Sequence, residues 1–165
     1  MKILFICTAN CTRSAMAEVY FKHLCNQNSL AQEVTCESAG INVKDISPII
    51  EETDGVVENP VPEEAREIMK GLELSLENHI PRQVSAEMVE SADAIVCMTK
   101  EQQTYVTDKF KSESEGKTRL LLSVIGNEDD LDNPHCGDIE TFEYCFLTMM
   151  PALAELTDRI LRSAK

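Results

Sequence analysis

The chain opens on a short apolar run, Ile3 to Ile6, that leads directly into the eight residues Cys7 to Ser14 (CTANCTRS). An apolar run of this length is typical of a buried strand in a parallel sheet. A helical pattern begins near Ser14, so these eight residues are predicted to form the turn between a strand and a helix. This feature constrains the fold most, because such a first turn belongs to α/β domains and is a frequent site of phosphate binding.

The turn carries the residue types of a phosphate pocket with a thiol at its base. The backbone N–H groups of such a turn point into its concavity, and the start of the helix adds partial positive charge. Arg13, six positions after Cys7, can donate two hydrogen bonds to phosphate oxygens. Positive surroundings of this kind favour the thiolate form of a cysteine. Cys7 is therefore predicted to be a nucleophile that faces a bound phosphoryl group.

The spacing of Cys7 and Arg13 is weak evidence when it is taken alone, because Cys-x5-Arg is short and occurs by chance. A cysteine at the end of a strand can also be a small buried hydrophobic residue. The position between the first strand and the first helix favours the pocket over this structural alternative.

Length and charge narrow the class of protein. The 165 residues predict one domain over residues 1–165 with a substantial core. The formal net charge of −14 argues against a nucleic-acid binder, because such binding requires clustered Lys and Arg. An anionic substrate must instead be attracted by a local positive site, for which Arg13 is the candidate.

The cysteines and the apolar runs predict a cytoplasmic protein that neither enters nor crosses a membrane. The run from Ile3 to Ile6 is too short for a secretory signal, and no run reaches the roughly 18 apolar residues of a membrane span. The seven cysteines are an odd number and are expected to be free thiols. They include no C-x2-C pair, so neither a metal site nor a cofactor is predicted.

Short apolar runs alternate with helical patterns along the chain. Strands are predicted over Lys2 to Cys7, Val34 to Ala39, Ala92 to Met98 and Thr118 to Val124. Helices are predicted over Ser14 to Gln27, Glu63 to Gly71, a short segment capped by Ser85, a segment opened by a Thr99–Gln102 capping box, and Ile139 to Arg162. Pro151 predicts a kink or two segments in the last helix, and residues 41–60 predict a long surface loop. The alternation predicts an α/β fold with a parallel sheet and helices on both faces.

The stretch from Cys7 to Glu18 (CTANCTRSAMAE) resembles the phosphate loop of the low-molecular-weight protein tyrosine phosphatases, C-x-G-N-x-C-R-S followed by a helix. Arsenate reductases and protein arginine phosphatases are relatives of that family. The likeness extends over most of the chain, through Ser38-Ala39-Gly40, His79 to Val84, Glu90 to Asp93 and Asn133-Pro134. It implies a single-domain, flavodoxin-like, four-stranded parallel sheet.

The resemblance also implies an activity, the hydrolysis of phosphoric monoesters through a phosphocysteine at Cys7. The substrate is then a phosphorylated protein or a small phosphomonoester, with phosphotyrosine as the family default and phosphoarginine as the alternative. Arg13 and the loop residues Thr8, Ala9, Asn10, Cys11 and Thr12 are expected to bind the phosphate, or a sulfate in its place. Ser14 would hydrogen-bond the thiolate and contribute to this site, and Ser38 and His79 would support the loop.

The sequence departs from the family pattern at three places. Ala9 replaces a glycine, which strains the loop if that position has a positive φ. Thr12 replaces the family's second cysteine while Cys11 stands one place earlier, which leaves a disulfide between Cys7 and Cys11 open. Asn133 occupies the position of the family's catalytic aspartic acid, and an amide does not exchange a proton in this way. Asp132 is predicted to act as the acid instead, with His135 as a further candidate.

Two other functions remain open from the sequence. An arsenate reductase would use the same loop and a second thiol, for which Cys97 and Cys136 are candidates. A non-catalytic phosphate or phosphoprotein binder would keep Cys7 and Arg13 without a working acid. We rank the phosphatase first, the binder second and the reductase third.

Overall fold

A computed structural model describes residues 1–43 and 60–163 of the chain. The strands in this part are β1 (Lys2–Cys7), β2 (Thr35–Gly40), β3 (Ala94–Cys97) and β4 (Thr118–Leu120). The helices are α1 (Arg13–Gln27), α2 (Glu63–Gly71), α3 (Ala86–Ser91), α4 (Lys100–Lys109), α5 (Lys111–Ser114) and α6 (Ile139–Ser163). Most of the loop predicted over residues 41–60 lies outside the described residues.

The four strands form one sheet in the order β2-β1-β3-β4, and every neighbouring pair is parallel. Strand β1 pairs with β2 from Lys2 opposite Thr35 to Cys7 opposite Gly40, and with β3 on its other side. The chain thus leaves β1 in one direction and later returns on the opposite side, which makes the end of β1 a topological switch point. The predicted fold class is confirmed, and the turn after Cys7 lies where such sheets bind ligands.

Helices cover both faces of the sheet, as predicted. Successive side chains of β1 point to opposite faces because a strand has a period of two. Ile3 and Phe5 belong to a core shared with α1, α2 and α6. Leu4 and Ile6 belong to a second core shared with α3 and α4. Each of these four side chains is fully buried, so β1 is the central element of the molecule.

The predicted helix starts agree with the structure. The side chain of Ser85 accepts a hydrogen bond from the Met88 N–H at the start of α3. Thr99 and Gln102 form the full capping box of α4, in which each side chain accepts a hydrogen bond from the other residue's backbone. Gly71 is the last residue of α2, as predicted.

The fourth strand is shorter than predicted. It ends at Leu120 and a 3-10 turn over Leu122–Ile125 follows, so the prediction of strand up to Val124 was wrong. Leu122 and Val124 are nonetheless buried in the core that contains α6. A short apolar run satisfies burial either as a strand or as a tight helical turn, and its pattern does not distinguish the two.

The last helix is one continuous segment, whereas one of the two predicted alternatives was a division into two segments. Helix α6 runs without interruption from Ile139 to Ser163 and contains Pro151, so two separate segments are not formed. Pro151 lies on the exposed side of the helix, and the residue four positions earlier, Leu147, is exposed as well. The carbonyl group that loses its hydrogen bond to the proline can therefore be solvated.

Candidate active site

The loop after β1 is fastened to the end of β2 through its backbone. The carbonyl oxygens of Cys7 and Thr8 accept hydrogen bonds from the N–H groups of Ile41 (3.0 Å) and Asn42 (2.9 Å). Gly40 permits this approach, because a Cβ atom there would lie 2.5 Å from the Thr8 carbonyl oxygen. The position of the loop is thus fixed by two parallel strands rather than by the loop alone.

Asn10 holds the shape of the loop. It is fully buried and has a φ of 60°, a left-handed conformation that asparagine tolerates better than most residues. Its Nδ2 donates hydrogen bonds to Ser14 Oγ (2.9 Å) and Ser38 Oγ (2.8 Å), and its Oδ1 accepts one from the Arg82 N–H (2.9 Å). The positive φ of the loop belongs to Asn10 and not to Ala9, so the strain considered for Ala9 does not arise.

A second layer of polar groups surrounds Asn10. His79 Nε2 donates a hydrogen bond to the Asn10 carbonyl oxygen (2.7 Å), and burial lowers the pKa of His79 below its ordinary value. Ser38 Oγ donates to Glu18 Oε2 (2.5 Å). Ser38 and His79 therefore both contact the loop or its immediate partners, in the places where they were predicted to support it.

Glu18 was missed in the sequence as a member of this network. It is 7% exposed and forms ion pairs with Lys22 (2.5 Å) and Arg82 (3.6 Å). A carboxylate buried to this extent requires such partners. The available signal was its spacing, four residues after Ser14 and four before Lys22, which places all three on one side of α1.

Two donors converge on the sulfur of Cys7. The Asn10 N–H donates to Sγ at 3.2 Å, and Ser14 Oγ lies 2.9 Å from the same atom. Because Ser14 Oγ already accepts a hydrogen bond from Asn10 Nδ2, its own proton is available for the sulfur. Donors placed in this way stabilise negative charge on a sulfur atom. The surroundings of Cys7 thus suit a nucleophile, a role that remains a prediction.

Arg13 connects the loop to the segment before α6. Its side chain is almost fully buried, and its Nη1 donates a hydrogen bond to the Leu131 carbonyl oxygen (2.9 Å). The Leu131 N–H in turn donates to the Met98 carbonyl oxygen (2.8 Å) at the end of β3. The guanidinium group is therefore held in place before any anion binds, which reduces the entropy lost on binding.

A cavity of about 270 Å³ opens above the loop. Its floor is formed by loop residues and its rim by residues from two other segments, in all Cys7, Thr8, Ala9, Cys11, Thr12, Arg13, Pro60, Pro62, Asn133 and His135. Asn10 and Ser14 lie behind this surface, where they contact Cys7. The predicted phosphate-binding residues are thus divided between a group that lines the cavity and a group that shapes it.

Gln102 supports the loop from the side of β3 and was predicted only as a helix cap. It is 1% exposed, and its Nε2 donates a hydrogen bond to Thr8 Oγ1 (3.2 Å). Its Oε1 accepts from the N–H groups of Met98 (3.0 Å) and Thr99 (3.1 Å). One side chain therefore ties the end of β3 to the first residue of the loop, a contact that the sequence pattern does not reveal.

Asp132 does not line the cavity that contains Cys7 and Arg13. Asp132 is exposed and borders a different cavity, beside Tyr144 and Cys145 of α6. Its carbonyl oxygen accepts a hydrogen bond from Cys145 Sγ (3.5 Å). Both Leu131 before it and Pro134 after it are buried, which fixes the course of the segment. Asn133 and His135 face the cavity of the loop instead.

All seven cysteines lie in the described ranges and are free thiols. Burial raises the pKa of Cys11 to about 12, with a further contribution from the nearby charge of Cys7. Burial likewise raises the pKa of Cys97 to about 12, whereas Cys136 is exposed. The structure therefore contains no disulfide between Cys7 and Cys11, which the sequence had left as an open alternative.

Residues 1–43 and 60–163 contain neither a candidate metal site nor a membrane-spanning helix. No group of three or more His, Cys, Asp or Glu side chains is arranged to hold a metal ion. No helix in those ranges is both long enough and apolar enough to cross a lipid bilayer. Within these ranges, the loop after β1 is the site at which the predicted catalytic chemistry is concentrated.

Comparison with known proteins identifies the family. The family model described as "Low molecular weight phosphotyrosine protein phosphatase" matches residues 2–165. A protein-arginine-phosphatase from Bacillus subtilis is 29% identical over 143 residues, which cover 87% of this chain and 85% of that protein. The low molecular weight protein-tyrosine-phosphatase Etp from Escherichia coli is 26% identical over 160 residues, which cover 97% and 95% of the two chains.

Solved structures show the same fold. A mutant of YwlE from Bacillus subtilis superposes with a TM-score of 0.81 at 25% identity and covers 97% of this chain and 98% of that one. Wzb from Vibrio vulnificus, in complex with benzylphosphonate, superposes with a TM-score of 0.78 at 26% identity and covers 96% and 97%. The chain therefore belongs to the low molecular weight phosphotyrosine protein phosphatase family, whose members are cysteine-based hydrolases.

Proposed function

We propose that this chain is a protein phosphatase that hydrolyses phosphomonoesters through a phosphocysteine intermediate at Cys7. The observation that carries the proposal is the convergence of two hydrogen-bond donors on the Cys7 sulfur, at the floor of a cavity that Arg13 also lines. A thiolate, a guanidinium group and a turn of backbone N–H groups are together sufficient for phosphoryl transfer to sulfur. This chemistry needs no metal or cofactor.

Each part of the loop then has a chemical role. The thiolate of Cys7 attacks phosphorus, and the bond from phosphorus to the leaving atom breaks, which is the ester oxygen of phosphotyrosine or a guanidino nitrogen of phosphoarginine. The Asn10 N–H donates to the Cys7 sulfur, so Arg13 and the other backbone N–H groups of the loop stabilise the charge that develops on the three equatorial oxygens. Water then attacks the phosphocysteine and releases inorganic phosphate. Ser14 stabilises the sulfur as it leaves, because its hydroxyl lies 2.9 Å away.

The proposed substrate is a phosphotyrosine residue in a protein, with phosphoarginine as the second candidate. The first rests on the family and on relatives named as protein-tyrosine-phosphatases. The second rests on the similarity to a relative named as a protein-arginine-phosphatase. Free phosphate or sulfate is proposed to bind in the same loop. A cytoplasmic location is part of the proposal, because phosphorylated proteins are substrates of that compartment and the nucleophile must remain a reduced thiol.

The two competing functions have less support. A reductase needs a second thiol that can reach the adduct on Cys7. Cys97 is fully buried and its pKa is about 12, and Cys136 does not line the cavity. The binder is favoured by one observation only, the amide of Asn133 at the rim, and it predicts phosphate binding without turnover.

The first experiment compares the hydrolysis of p-nitrophenyl phosphate by the wild type, Cys7→Ser and the matched control Cys136→Ser. We expect Cys7→Ser to lose hydrolysis while it still binds vanadate, and the control to keep full activity. Phosphotyrosine and phosphoarginine peptides then distinguish the two substrates. Hydrolysis by Cys7→Ser at the wild-type rate would refute the proposed nucleophile, and a wild type that binds vanadate without turnover would support the binder.

A further inference from the structure

We propose that His135 is the general acid and base of this phosphatase, in place of a carboxylic acid. The inference rests on the proposed function, because it assigns a proton donor to the reaction at Cys7. It concerns the side chain that protonates the ester oxygen as that oxygen leaves phosphorus, a step that requires a group close to the bound phosphate.

The composition of the cavity supports this assignment. Its titratable side chains in the described part of the chain are Cys7, Cys11, Arg13 and His135. Cys7 is the nucleophile, and an arginine stays protonated at all relevant pH values. The pKa of Cys11 is raised to about 12 by burial, so this thiol neither donates nor accepts a proton readily near neutrality. An imidazole does both in that range, which leaves His135.

The carboxylic acids nearest to His135 in the sequence do not line the cavity that contains Cys7. Asp132 borders the cavity beside Tyr144 and Cys145 on the side of α6. The side chain of Asp138 accepts hydrogen bonds from the N–H (3.0 Å) and hydroxyl (2.7 Å) of Thr141, and so caps the start of α6. Asn133 lines the cavity but carries an amide. His135 is therefore the proton-carrying residue of this segment that lines the same cavity as Cys7.

The backbone around His135 is fixed on both sides. The Gly137 N–H donates a hydrogen bond to the Pro134 carbonyl oxygen (2.8 Å), so His135 and Cys136 are the central residues of a tight turn. Cys136 has a φ of 61°, the left-handed conformation of the third residue of a type II turn. A Cβ atom on Gly137 would lie 2.6 Å from Thr141 Cβ. The turn is thus packed directly on the start of α6.

The other end of the segment is joined to the catalytic loop itself. Leu131 is buried, its carbonyl oxygen accepts a hydrogen bond from Arg13, and its N–H donates to Met98. The guanidinium group that is proposed to bind the phosphate therefore also positions the loop segment that carries His135. A proton donor placed in this way meets the requirement that general acids be held near the reacting atoms.

With His135 as the acid and then the base, every bond and proton in the two chemical steps is accounted for. In the first step the Cys7 thiolate forms a bond to phosphorus, the phosphorus–oxygen ester bond breaks, and the imidazolium gives its proton to the departing oxygen. In the second step the neutral imidazole takes a proton from water as the water oxygen bonds to phosphorus. The sulfur–phosphorus bond then breaks and Cys7 leaves as a thiolate. No other reactant is required.

The test measures kcat/KM for phenyl phosphate and p-nitrophenyl phosphate in the wild type, His135→Gln, Asp132→Asn and Cys136→Ser. Phenol is the poorer leaving group, so its release depends more strongly on a proton donor. We expect His135→Gln to lower kcat/KM for phenyl phosphate by about 100-fold or more, and that for p-nitrophenyl phosphate by much less. Asp132→Asn and Cys136→Ser should resemble the wild type on both substrates.

A second variant separates acid catalysis from a structural role. Asn133→Asp, introduced into His135→Gln, places a carboxylic acid at a position that already lines the cavity. We expect it to restore activity on phenyl phosphate and to move the optimum to lower pH, because a carboxylic acid loses its proton earlier than an imidazolium. Damage to the turn would not be repaired in this way.

Two results would overturn the inference while leaving the proposed function in place. One is equal loss on both substrates in His135→Gln, without rescue by Asn133→Asp. The other is a selective loss on phenyl phosphate in Asp132→Asn, which would identify Asp132 as the acid. A wild type that hydrolyses neither substrate would instead refute the proposed function, and Cys7→Ser serves as the reference for this outcome.

Discussion

Replacement of Asn10 by alanine tests whether the loop is held in shape by one buried side chain. The change removes three hydrogen bonds, to Ser14 Oγ, Ser38 Oγ and the Arg82 N–H. At about 1 kcal/mol for each hydrogen bond, their loss amounts to about 3 kcal/mol. Alanine is also less suited than asparagine to the φ of 60°, which adds about 1 kcal/mol. We therefore expect Asn10→Ala to lower the free energy of unfolding by about 4 kcal/mol.

The measurement is urea unfolding followed by far-ultraviolet circular dichroism, because the chain has no tryptophan. The matched control is Ser29→Ala. Ser29 has a φ of 58° but is exposed, so it shares the backbone conformation without the buried network. We expect this control to change the free energy of unfolding by no more than about 0.5 kcal/mol.

Activity gives a second readout of Asn10→Ala. Asn10 Nδ2 donates a hydrogen bond to Ser14 Oγ, which lies 2.9 Å from the Cys7 sulfur. Without this hydrogen bond the hydroxyl of Ser14 is less restrained. We expect kcat to fall as well as stability. A variant as stable and as active as Ser29→Ala would refute the view that Asn10 organises the loop.

Three further predictions follow from the same structure. Gly40→Ala should weaken vanadate inhibition, because its Cβ would lie 2.5 Å from the Thr8 carbonyl oxygen; an unchanged inhibition constant would contradict this. Burial lowers the pKa of His79 in the folded state, so the unfolded state binds a proton on this side chain at a higher pH than the folded state does. Stability should therefore fall as the pH drops below about 6.5, and His79→Gln should flatten this slope in pH-dependent unfolding. Iodoacetamide at neutral pH should modify the exposed Cys136 well before Cys97, whose pKa is about 12; equal rates by mass spectrometry would contradict the burial of Cys97.

The sheet and the position of the loop could be predicted from the sequence because local patterns determine them. The apolar run of β1 is central and buried on both faces, so it contains few polar residues. The capping box at Thr99 and Gln102 likewise has a local signature. The β4 region was predicted less well, since Leu122 and Val124 are buried in a 3-10 turn as they would be in a strand.

The network behind the loop could be predicted only in part. Asn10, Ser38 and His79 were named because they match the family's pattern, and their supporting role stays a prediction. Glu18 and Gln102 were not named as members of the network. Both are long polar side chains buried by contacts to other elements. Glu18 has a local signal in its spacing to Lys22 and Gln102 has one in its capping box. Neither pattern indicates the contacts to Ser38 and Thr8, because these partners lie far away in the sequence.

The position of the general acid could not be predicted from spacing in the sequence alone. Asp132 and Asn133 are neighbours in the sequence, yet they face different cavities. The choice between them depends on how Leu131 and Pro134 are buried around them, a feature of packing rather than of spacing. The role of Asp132 as the acid therefore stays a prediction, although Asp132 does not line the cavity that contains Cys7.

The central claim is that Cys7 becomes covalently phosphorylated during turnover, and it can be measured directly. Wild-type protein is mixed with p-nitrophenyl phosphate, quenched in acid within the first turnovers, digested and analysed by mass spectrometry. We expect the added mass of one phosphoryl group on the peptide that contains Cys7, and its absence in Cys7→Ser. Turnover in the wild type without that adduct, or with the phosphoryl group on another residue, would contradict it.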